Sequence, residues 1–291
     1  MFIRRLCVSA SLLIGIEFVF FIQARPATSP FLNQDPSSLS PEQTQARDAL
    51  NQGVSAFKNG QYDEAARLFD HAKQLDPRLL NARLYLATTY AAQYVPGAPS
   101  EENQRFGRSA IEEFKGALQV EPQNVSAIDG LGSIIFQMSG TPFNQDGFLE
   151  SKTYHLKHIE IRPDDPEPYY WVGVIDWTLA YRANAELRAR YNRYVAPRKQ
   201  IRDSDPLPPD IRSEYIRDCG PLIDEGIQSL QRAIRLRQEF DDAMAYLNLM
   251  YRRKADAVAA TGEREALNKM ADDLLDKIKD IKQKRAEDSQ R

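Results

Sequence analysis

The sequence predicts an all-α fold, a solenoid of about five antiparallel helix pairs, on three observations. Four segments have apolar residues at i, i+3, i+4 and i+7, the period of an amphipathic helix. They are residues 65–77, 110–122, 151–163 and 226–238. A small or short residue lies 22 residues after the start of each segment: Ala87, Gly132, Gly173 and Asn248. Prolines end three segments at a point where a helix cannot continue: Pro77, Pro122 and Pro163. A constant spacing of this kind is typical of stacked helical repeats.

The composition is that of one or two globular domains, with 291 residues, 42% of them hydrophobic, and a formal net charge of -3. Without a global basic excess we expect no nucleic-acid partner and no membrane contact beyond the N-terminal segment. Two cysteines, Cys7 and Cys219, cannot form a disulfide framework or a zinc ribbon. Nucleotide-binding, zinc-protease and hydrolase motifs are missing from the sequence, so we expect no cofactor, no metal and no enzymatic activity.

Residues 1–24 have the pattern of an export signal. Arg4 and Arg5 precede an apolar stretch at 6–22, and small or apolar residues follow it. The stretch is short for a transmembrane helix and contains Glu17, but an uncleaved anchor is the alternative interpretation. We therefore expect an exported protein, periplasmic or secreted, with attachment to the inner membrane by residues 6–22 as the second possibility.

The solenoid is expected over residues 43–284, between a flexible linker at 25–42 and a disordered tail at 285–291. The distances between successive helix stops are unequal, at 45, 41 and 75 residues, while the 22-residue distance from each amphipathic segment to the helix that follows it is constant. The extra residues must therefore lie at the turn between the first and second helix of a pair, along one edge of the solenoid. The longest insertion, at about 178–221, lies in the fourth pair.

The first repeat matches the tetratricopeptide pattern in seven residues: Gly53, Gly60, Tyr62, Ala65, Phe69, Ala72 and Pro77. A second match is longer at its turn, a third is weaker, and the last two are degenerate. The chain thus resembles the tetratricopeptide repeat family over nearly all of 43–284, and residues 171–177 and 242–252 resemble uncharacterised exported bacterial members. The resemblance implies a right-handed superhelical solenoid that acts as a non-enzymatic scaffold or adaptor for a protein or peptide partner in the bacterial cell envelope.

In this family the first helix of each pair lines the concave wall, so the resemblance places the partner-binding groove there. The same face selects aromatic and arginine side chains, which anchor partners most effectively. The predicted groove residues are Phe57, Lys58, Phe136, Gln137, Tyr170, Trp177, Arg252 and Arg253. The alternative is that some of them pack against the insertion, because tryptophan is usually well buried.

The first part of the insertion, residues 182–202, has seven basic residues and one acidic residue, Glu186. It predicts a positive stripe for an acidic peptide or polyanion. The stripe is carried by Arg182, Arg188, Arg190, Arg193 and Arg198. The alternative is a solvated helix whose charge is compensated by the acidic residues that follow. Those are Asp203, Asp205, Asp210, Glu214 and Asp218.

His155, His158 and Asp176 occupy core-facing positions of the repeat pattern. Buried polar groups need partners, so we predict a buried polar cluster in which Asp176 hydrogen-bonds one of the two histidines or an arginine of the insertion. The same three residues support a second hypothesis, an enzyme or metal-binding protein with a pocket at the junction of repeats 3 and 4.

Overall fold

The structure is a computed structural model that describes residues 39–289. The predicted export segment and most of the predicted linker lie outside the described residues. Over the described range the chain forms ten α-helices, a short 3-10 turn at Pro197–Lys199, and no strand. The helices are α1 (Pro41–Lys58), α2 (Tyr62–Leu75), α3 (Leu80–Gln93), α4 (Glu101–Val120), α5 (Val125–Ser139), α6 (Gln145–Ile161), α7 (Pro166–Tyr194), α8 (Pro209–Leu236), α9 (Asp241–Ala257) and α10 (Thr261–Ser289).

The helices pack as five pairs along the chain. Helices α1 and α2, α3 and α4, α5 and α6, α7 and α8, and α9 and α10 form the pairs, and each second helix packs on the first helix of the next pair. The prediction of an all-α solenoid of about five helix pairs is therefore confirmed. None of the helices within residues 39–289 is both long and apolar enough to cross a membrane.

The same four-residue turn joins consecutive pairs at every junction. Its first N–H donates to the carbonyl four residues earlier, and its last N–H donates to the carbonyl of its first residue. Asp76 begins one turn with φ -136° and ψ 92°, an extended backbone that the following proline favours. Arg237 begins another with φ -133° and ψ 98° although glutamine follows. This repeated turn explains the constant 22-residue spacing. The turns are Asp76–Leu79, Glu121–Asn124, Arg162–Asp165 and Arg237–Phe240.

The extra residues lie at the turns within pairs, as expected. These turns cover residues 94–100, 140–144 and 195–208. The insertion at about 178–221 is mostly helical, because residues 178–194 continue α7 and 209–221 begin α8. The fourth pair is therefore a long hairpin of two helices rather than a pair interrupted by a separate subdomain.

Both ends of the solenoid differ from the predicted boundaries. Helix α1 begins at Pro41, inside the predicted linker, since proline has no N–H to lose in the first turn of a helix. Helix α10 continues to Ser289, through most of the predicted disordered tail. Arg285 holds this part of α10 to the preceding turn, where its guanidinium donates to Asp241 at 3.0 Å and to the carbonyl of Glu239 at 2.6 Å.

The core is divided into successive clusters along the stack, because each repeat buries its apolar face only against its neighbours. The largest cluster joins α7 to α10 and includes the fully buried Tyr215, Leu230 and Met250. Packing is close between α7 and α8, where a Cβ atom at Gly173 would lie 2.3 Å from Cγ of Leu230. This cluster fixes the orientation of α7, which carries the candidate site.

Candidate functional site

The first helices of the pairs form one wall of the solenoid. Besides packing on their own partners, α1 contacts α3, α3 contacts α5, and α7 contacts α9. In a curved stack, elements on the inner side lie closer together than those on the outer side, so these helices line the concave face. All predicted groove residues lie on them.

An aromatic surface lies along α7 and α9 on this wall. Trp177 stacks on Tyr181 with 5.2 Å between ring centroids and 21° between ring planes. Tyr246 of α9 contacts Trp177 edge-on at 5.4 Å and Tyr170 at 5.7 Å. On one face of α7, Tyr170 lies two turns before Trp177 and Tyr181 lies one turn after it, and Tyr246 of α9 contacts both Tyr170 and Trp177. Tyr181 is 49% exposed, so an aromatic ring faces solvent here.

A cavity of about 290 Å³ opens beside this aromatic surface. Its lining combines one tyrosine ring, two guanidinium groups, two side-chain amides and one carboxylate. The lining residues are Tyr181, Asn184, Ala185, Arg188, Ala189, Asn192, Asp203 and Arg253. The guanidinium carbon of Arg253 lies 5.9 Å from the centroid of the Tyr181 ring, which joins the aromatic surface to the cavity through a cation–π contact.

Asp256, at the end of α9, holds the arginines of the cavity in place. Its carboxylate accepts from Arg188 at 3.0 Å and from Asn184 at 3.3 Å, and it pairs with Arg253 at 3.1 Å. Burial raises the pKa of Asp256, and the two arginines oppose that shift. Arg188 also donates to the carbonyl of Arg202 at 2.7 Å. The walls of the cavity are therefore fixed by hydrogen bonds before any ligand binds.

Only some of the predicted groove residues meet at this surface. Trp177 and Arg253 do, and Tyr170 borders it, with its pKa raised by burial. Arg252 instead pairs with Asp272 of α10 at 2.7 Å. Phe57 packs edge-on against Tyr62 within the first pair, and Lys58 follows it at the end of α1. Phe136 of α5 packs edge-on against Phe148 and Trp171, and the half-buried Gln137 follows it in the chain.

Two residues of the surface, Tyr181 and Tyr246, were missed by the sequence analysis. Tyr181 follows Trp177 by one helical turn, so extending the same face of α7 would have found it. Tyr246 joins the surface only because α9 packs beside α7. The sequence alone does not indicate that contact, because it does not show which helices pack together.

The predicted basic stripe is not one surface. Arg188 is 4% exposed and belongs to the buried Asp256 network, so its place in the stripe was wrong. The reason is that this side of α7 faces α9 rather than solvent. Arg182 pairs with Glu186 at 2.5 Å, and Arg190 pairs with Glu214. Arg193 and Arg198 are exposed and form no ion pair within residues 39–289.

The predicted hydrogen bond of Asp176 to a histidine or an insertion arginine was also wrong. Asp176 is fully buried and accepts from Nζ of Lys152 at 2.6 Å. Lys152 reaches Asp176 from α6 and also donates to Glu225 of α8 at 2.8 Å. Burial raises the pKa of Asp176 to about 7, against the opposing effect of the lysine. The pair ties α6, α7 and α8 together.

The two histidines are buried but have separate environments. Nδ1 of His158 lies 2.7 Å from Asp129, and its Nε2 lies 3.5 Å from Asp165. His155 stacks on Trp171 at 5.7 Å, and neither of its ring nitrogens has a hydrogen-bond partner. The described range 39–289 contains no group of three or more histidine, cysteine or carboxylate side chains placed to hold a metal ion. His155, His158 and Asp176 therefore do not form the shared pocket of the second hypothesis.

The comparisons with known proteins agree with this architecture. The model of the tetratricopeptide repeat family matches residues 46–79, which cover most of α1, all of α2 and the turn that follows. Residues 46–79 are thus similar to one tetratricopeptide repeat, and the rest of the described range shares the helical-pair architecture of that repeat. One solved structure of similar fold is "Crystal structure of MamA protein", with TM-score 0.54 and 16% identity over 84% of this chain and 94% of that one. Another is "MamA 41-end from Desulfovibrio magneticus RS-1", with TM-score 0.53 and 14% identity over 82% of this chain and 96% of that one. No curated protein sequence matches significantly.

The candidate site lies far from the repeat that matches the family model. The family match ends at residue 79, whereas the aromatic surface and the cavity belong to the fourth and fifth helix pairs. The solenoid supplies the wall, and the extended α7 supplies the side chains that distinguish this site from an ordinary repeat.

Proposed function

We propose that this protein is a non-enzymatic scaffold or adaptor that binds a protein or peptide partner through the aromatic surface and its cavity. The observation that carries the proposal is the Trp177–Tyr181 stack at the mouth of a cavity lined by Arg253. Aromatic and arginine side chains are the residues that most often dominate binding energy at protein interfaces. About half of the Tyr181 side chain is exposed, so a partner can contact its ring directly.

The cavity indicates which part of a partner would enter it. At about 290 Å³ it is at the lower end of the range for small-molecule sites and suits one or two side chains of a peptide. Guanidinium groups bind carboxylates with two parallel hydrogen bonds. A partner segment with an aromatic or apolar residue for Tyr181 and a nearby acidic residue for Arg253 would match this surface.

A matched set of variants tests the proposal. Random peptides would be selected against the purified protein, and the affinity of the best peptide would be measured by fluorescence anisotropy. We expect Tyr181→Ala and Arg253→Gln to weaken binding about tenfold or more, the scale of an interface hot spot. Tyr194→Ala and Arg252→Gln are the controls, because Tyr194 is 79% exposed outside the site and Arg252 faces α10.

Two results would contradict this function. One is a failure to enrich any peptide, and the other is a peptide whose affinity is the same for site and control variants. Thermal unfolding of each variant must accompany the measurement, since Arg253 also pairs with the buried Asp256. A variant that unfolds at the temperature of the wild type but no longer binds locates the binding surface.

We also propose that the protein works in the bacterial cell envelope, after export. The support is the sequence pattern of Arg4, Arg5 and the apolar residues 6–22. Alkaline phosphatase fused after residue 291 would report the location, because it is active only outside the cytoplasm. An inactive fusion would contradict export, and N-terminal sequencing of the mature protein would separate cleavage after residue 24 from an uncleaved anchor.

A further inference from the structure

The end of the α7–α8 hairpin carries a concentrated positive charge that the proposed groove does not use. Residues 193–202 contain Arg193, Arg198, Lys199 and Arg202 and no acidic residue. All four basic residues are exposed. Tyr194, in the same segment, is 79% exposed, the largest value among the exposed large hydrophobic residues. We call residues 193–202 the basic tip.

Hydrogen bonds close the basic tip at its base. The side chain of Asn192 accepts from the backbone N–H of Ile201 at 2.9 Å and donates to the carbonyl of Ile201 at 2.8 Å. Gln200 donates to the carbonyl of Asn192 at 3.0 Å, and Arg188 donates to the carbonyl of Arg202 at 2.7 Å. The four cations are thus held at one end of the hairpin instead of being spread along a loose chain.

Of the five acidic residues that follow the basic tip, two are paired with arginines outside it, and Asp203 and Asp210 form no ion pair within residues 39–289. Glu214 pairs with Arg190 and Asp218 pairs with Arg217. Asp205 accepts the backbone N–H of Arg202 at 2.8 Å. The cationic side chains of the basic tip form no ion pair within residues 39–289. Asp205 lies against the backbone of the basic tip, but no carboxylate of the described range pairs with its four cationic side chains, which are therefore available to a partner.

The basic tip projects beyond its neighbours. The guanidinium carbon of Arg182 lies 5.0 Å from the ring of Phe143, which is in the turn between α5 and α6. On the other side, Asp256 near the end of α9 is paired with Arg188. An α-helix rises 1.5 Å per residue, so α7 continues for about 18 Å past Arg182 to Tyr194. From Arg188, which contacts the end of α9, α7 continues for about 9 Å to Tyr194, so the basic tip lies past both neighbouring contacts.

We propose that the basic tip docks onto an anionic lipid bilayer. A projecting end with free lysine and arginine side chains complements a flat negative surface, whereas an acidic peptide would be held better in a groove. Exposed tyrosine is enriched at membrane–water interfaces, where its ring and its hydroxyl group both find a suitable environment. The proposal departs from the sequence-based expectation of no membrane contact beyond the N-terminal segment. It is independent of peptide binding in the groove.

The test is the binding of the full chain to lipid vesicles, measured by co-sedimentation. Phosphatidylcholine vesicles give the contribution of the N-terminal segment, and vesicles that also contain phosphatidylglycerol give the added electrostatic contribution. The tip variant replaces Arg193, Arg198, Lys199 and Arg202 with glutamine. The control variant makes the same change in net charge at four exposed cations without ion pairs elsewhere: Arg78, Arg235, Lys277 and Lys282.

We expect the wild type and the control variant to prefer phosphatidylglycerol vesicles, with a preference that falls as salt increases. Each basic residue near an anionic bilayer strengthens binding about fivefold, so the tip variant, which loses four of them, should lose that preference by up to about 600-fold. Tyr194→Ala should lose a smaller part of it. Both variants should lose binding to anionic vesicles only, and their binding to neutral vesicles should equal that of the wild type.

Three results would overturn the proposal. The first is equal binding of the wild type to neutral and anionic vesicles. The second is an equal loss in the tip and control variants, which would indicate net charge alone. The third is unchanged vesicle binding by a tip variant that has lost binding to polyglutamate, which would make the basic tip a docking surface for acidic protein. A loss of peptide affinity in the groove would bear on the proposed function and leave this proposal unaffected.

Discussion

Lys152 donates from Nζ to Oδ1 of Asp176 at 2.6 Å across the interface of α6 and α7, where the carboxylate is fully buried. Removing one partner of a buried ion pair leaves the other charge uncompensated. Lys152→Met should therefore lower the free energy of unfolding by about 3 kcal/mol, measured by urea denaturation. Glu225→Gln is the control and should cost less than about 1 kcal/mol, because Glu225 is 45% exposed.

The double variant Lys152→Met with Asp176→Leu tests whether the uncompensated charge of Asp176 causes the loss of stability in Lys152→Met. Since both charges are gone, most of the lost stability should return. If the two substitutions instead destabilised the protein additively, the ion pair would not be the cause of the loss in Lys152→Met.

His155 should make the protein sensitive to acid. Burial, with a smaller effect of the His158 charge, lowers the pKa of His155 from 6.5 to about 3. Below pH 6.5 the unfolded chain therefore binds a proton that the folded protein does not bind, and stability falls by up to about 1.4 kcal/mol per pH unit. His155→Phe keeps the ring on Trp171 and should remove this part of the pH dependence, as measured by urea denaturation from about pH 7.5 to 4.5.

The exposed His71 supplies the control for this prediction. His71→Gln should keep the acid sensitivity that His155 causes, because the substitution lies on the exposed surface and leaves His155 in place. Near neutral pH, His155→Phe should change stability by less than about 1 kcal/mol, because the ring nitrogens of His155 have no hydrogen bonds to lose. Parallel curves for His155→Phe and the wild type would contradict the prediction.

His158 should act in the opposite direction and at higher pH. Burial alone would lower its pKa, but hydrogen bonds and charges from Asp129 and Asp165 outweigh burial and raise the pKa from 6.5 to about 9. Its stabilising contribution is complete below pH 6.5 and is lost as the pH rises to about 9. His158→Gln should therefore cost about 2 kcal/mol near pH 6 and much less near pH 9.5, by denaturant unfolding at both values. An equal cost at the two values would rule out the charged histidine as the cause.

The solenoid could be predicted because its determinants are local. Pro77 and Pro122 stop helices, and the constant distance to Ala87 and Gly132 reflects a turn whose hydrogen bonds all lie within eight residues. The helix ends at Pro41 and Ser289 were harder to predict. Helix α10 is held by Arg285 against a turn more than 40 residues earlier, and composition alone suggested a disordered tail.

The candidate site was predicted only where one helix carries it. Trp177 was found from its position on α7, but Tyr246 reaches it through the packing of α9. The charge count placed Arg188 in an exposed stripe, while its partner Asp256 lies 68 residues later in the chain. Lys152 was overlooked for the same reason, since a lysine is rarely fully buried unless a carboxylate from another helix meets it.

The close contact of α7 with α8 should make Gly173 intolerant of a side chain. A Cβ atom at Gly173 would lie 2.3 Å from Cγ of Leu230, which is fully buried and cannot move away cheaply. Gly173→Ala should therefore destabilise the protein by about 2 kcal/mol, although alanine favours a helix by up to about 1 kcal/mol.

Gly262→Ala is the matched control, because a Cβ there meets nothing within 4 Å, and it should be neutral or stabilising by about 0.5 kcal/mol. Adding Leu230→Ala to Gly173→Ala should cost less than Leu230→Ala costs alone, since the smaller side chain relieves the clash. If urea denaturation showed Gly173→Ala to be as stable as Gly262→Ala, α7 and α8 would be free to separate, and α7 would not hold Trp177 and Tyr181 in a fixed position.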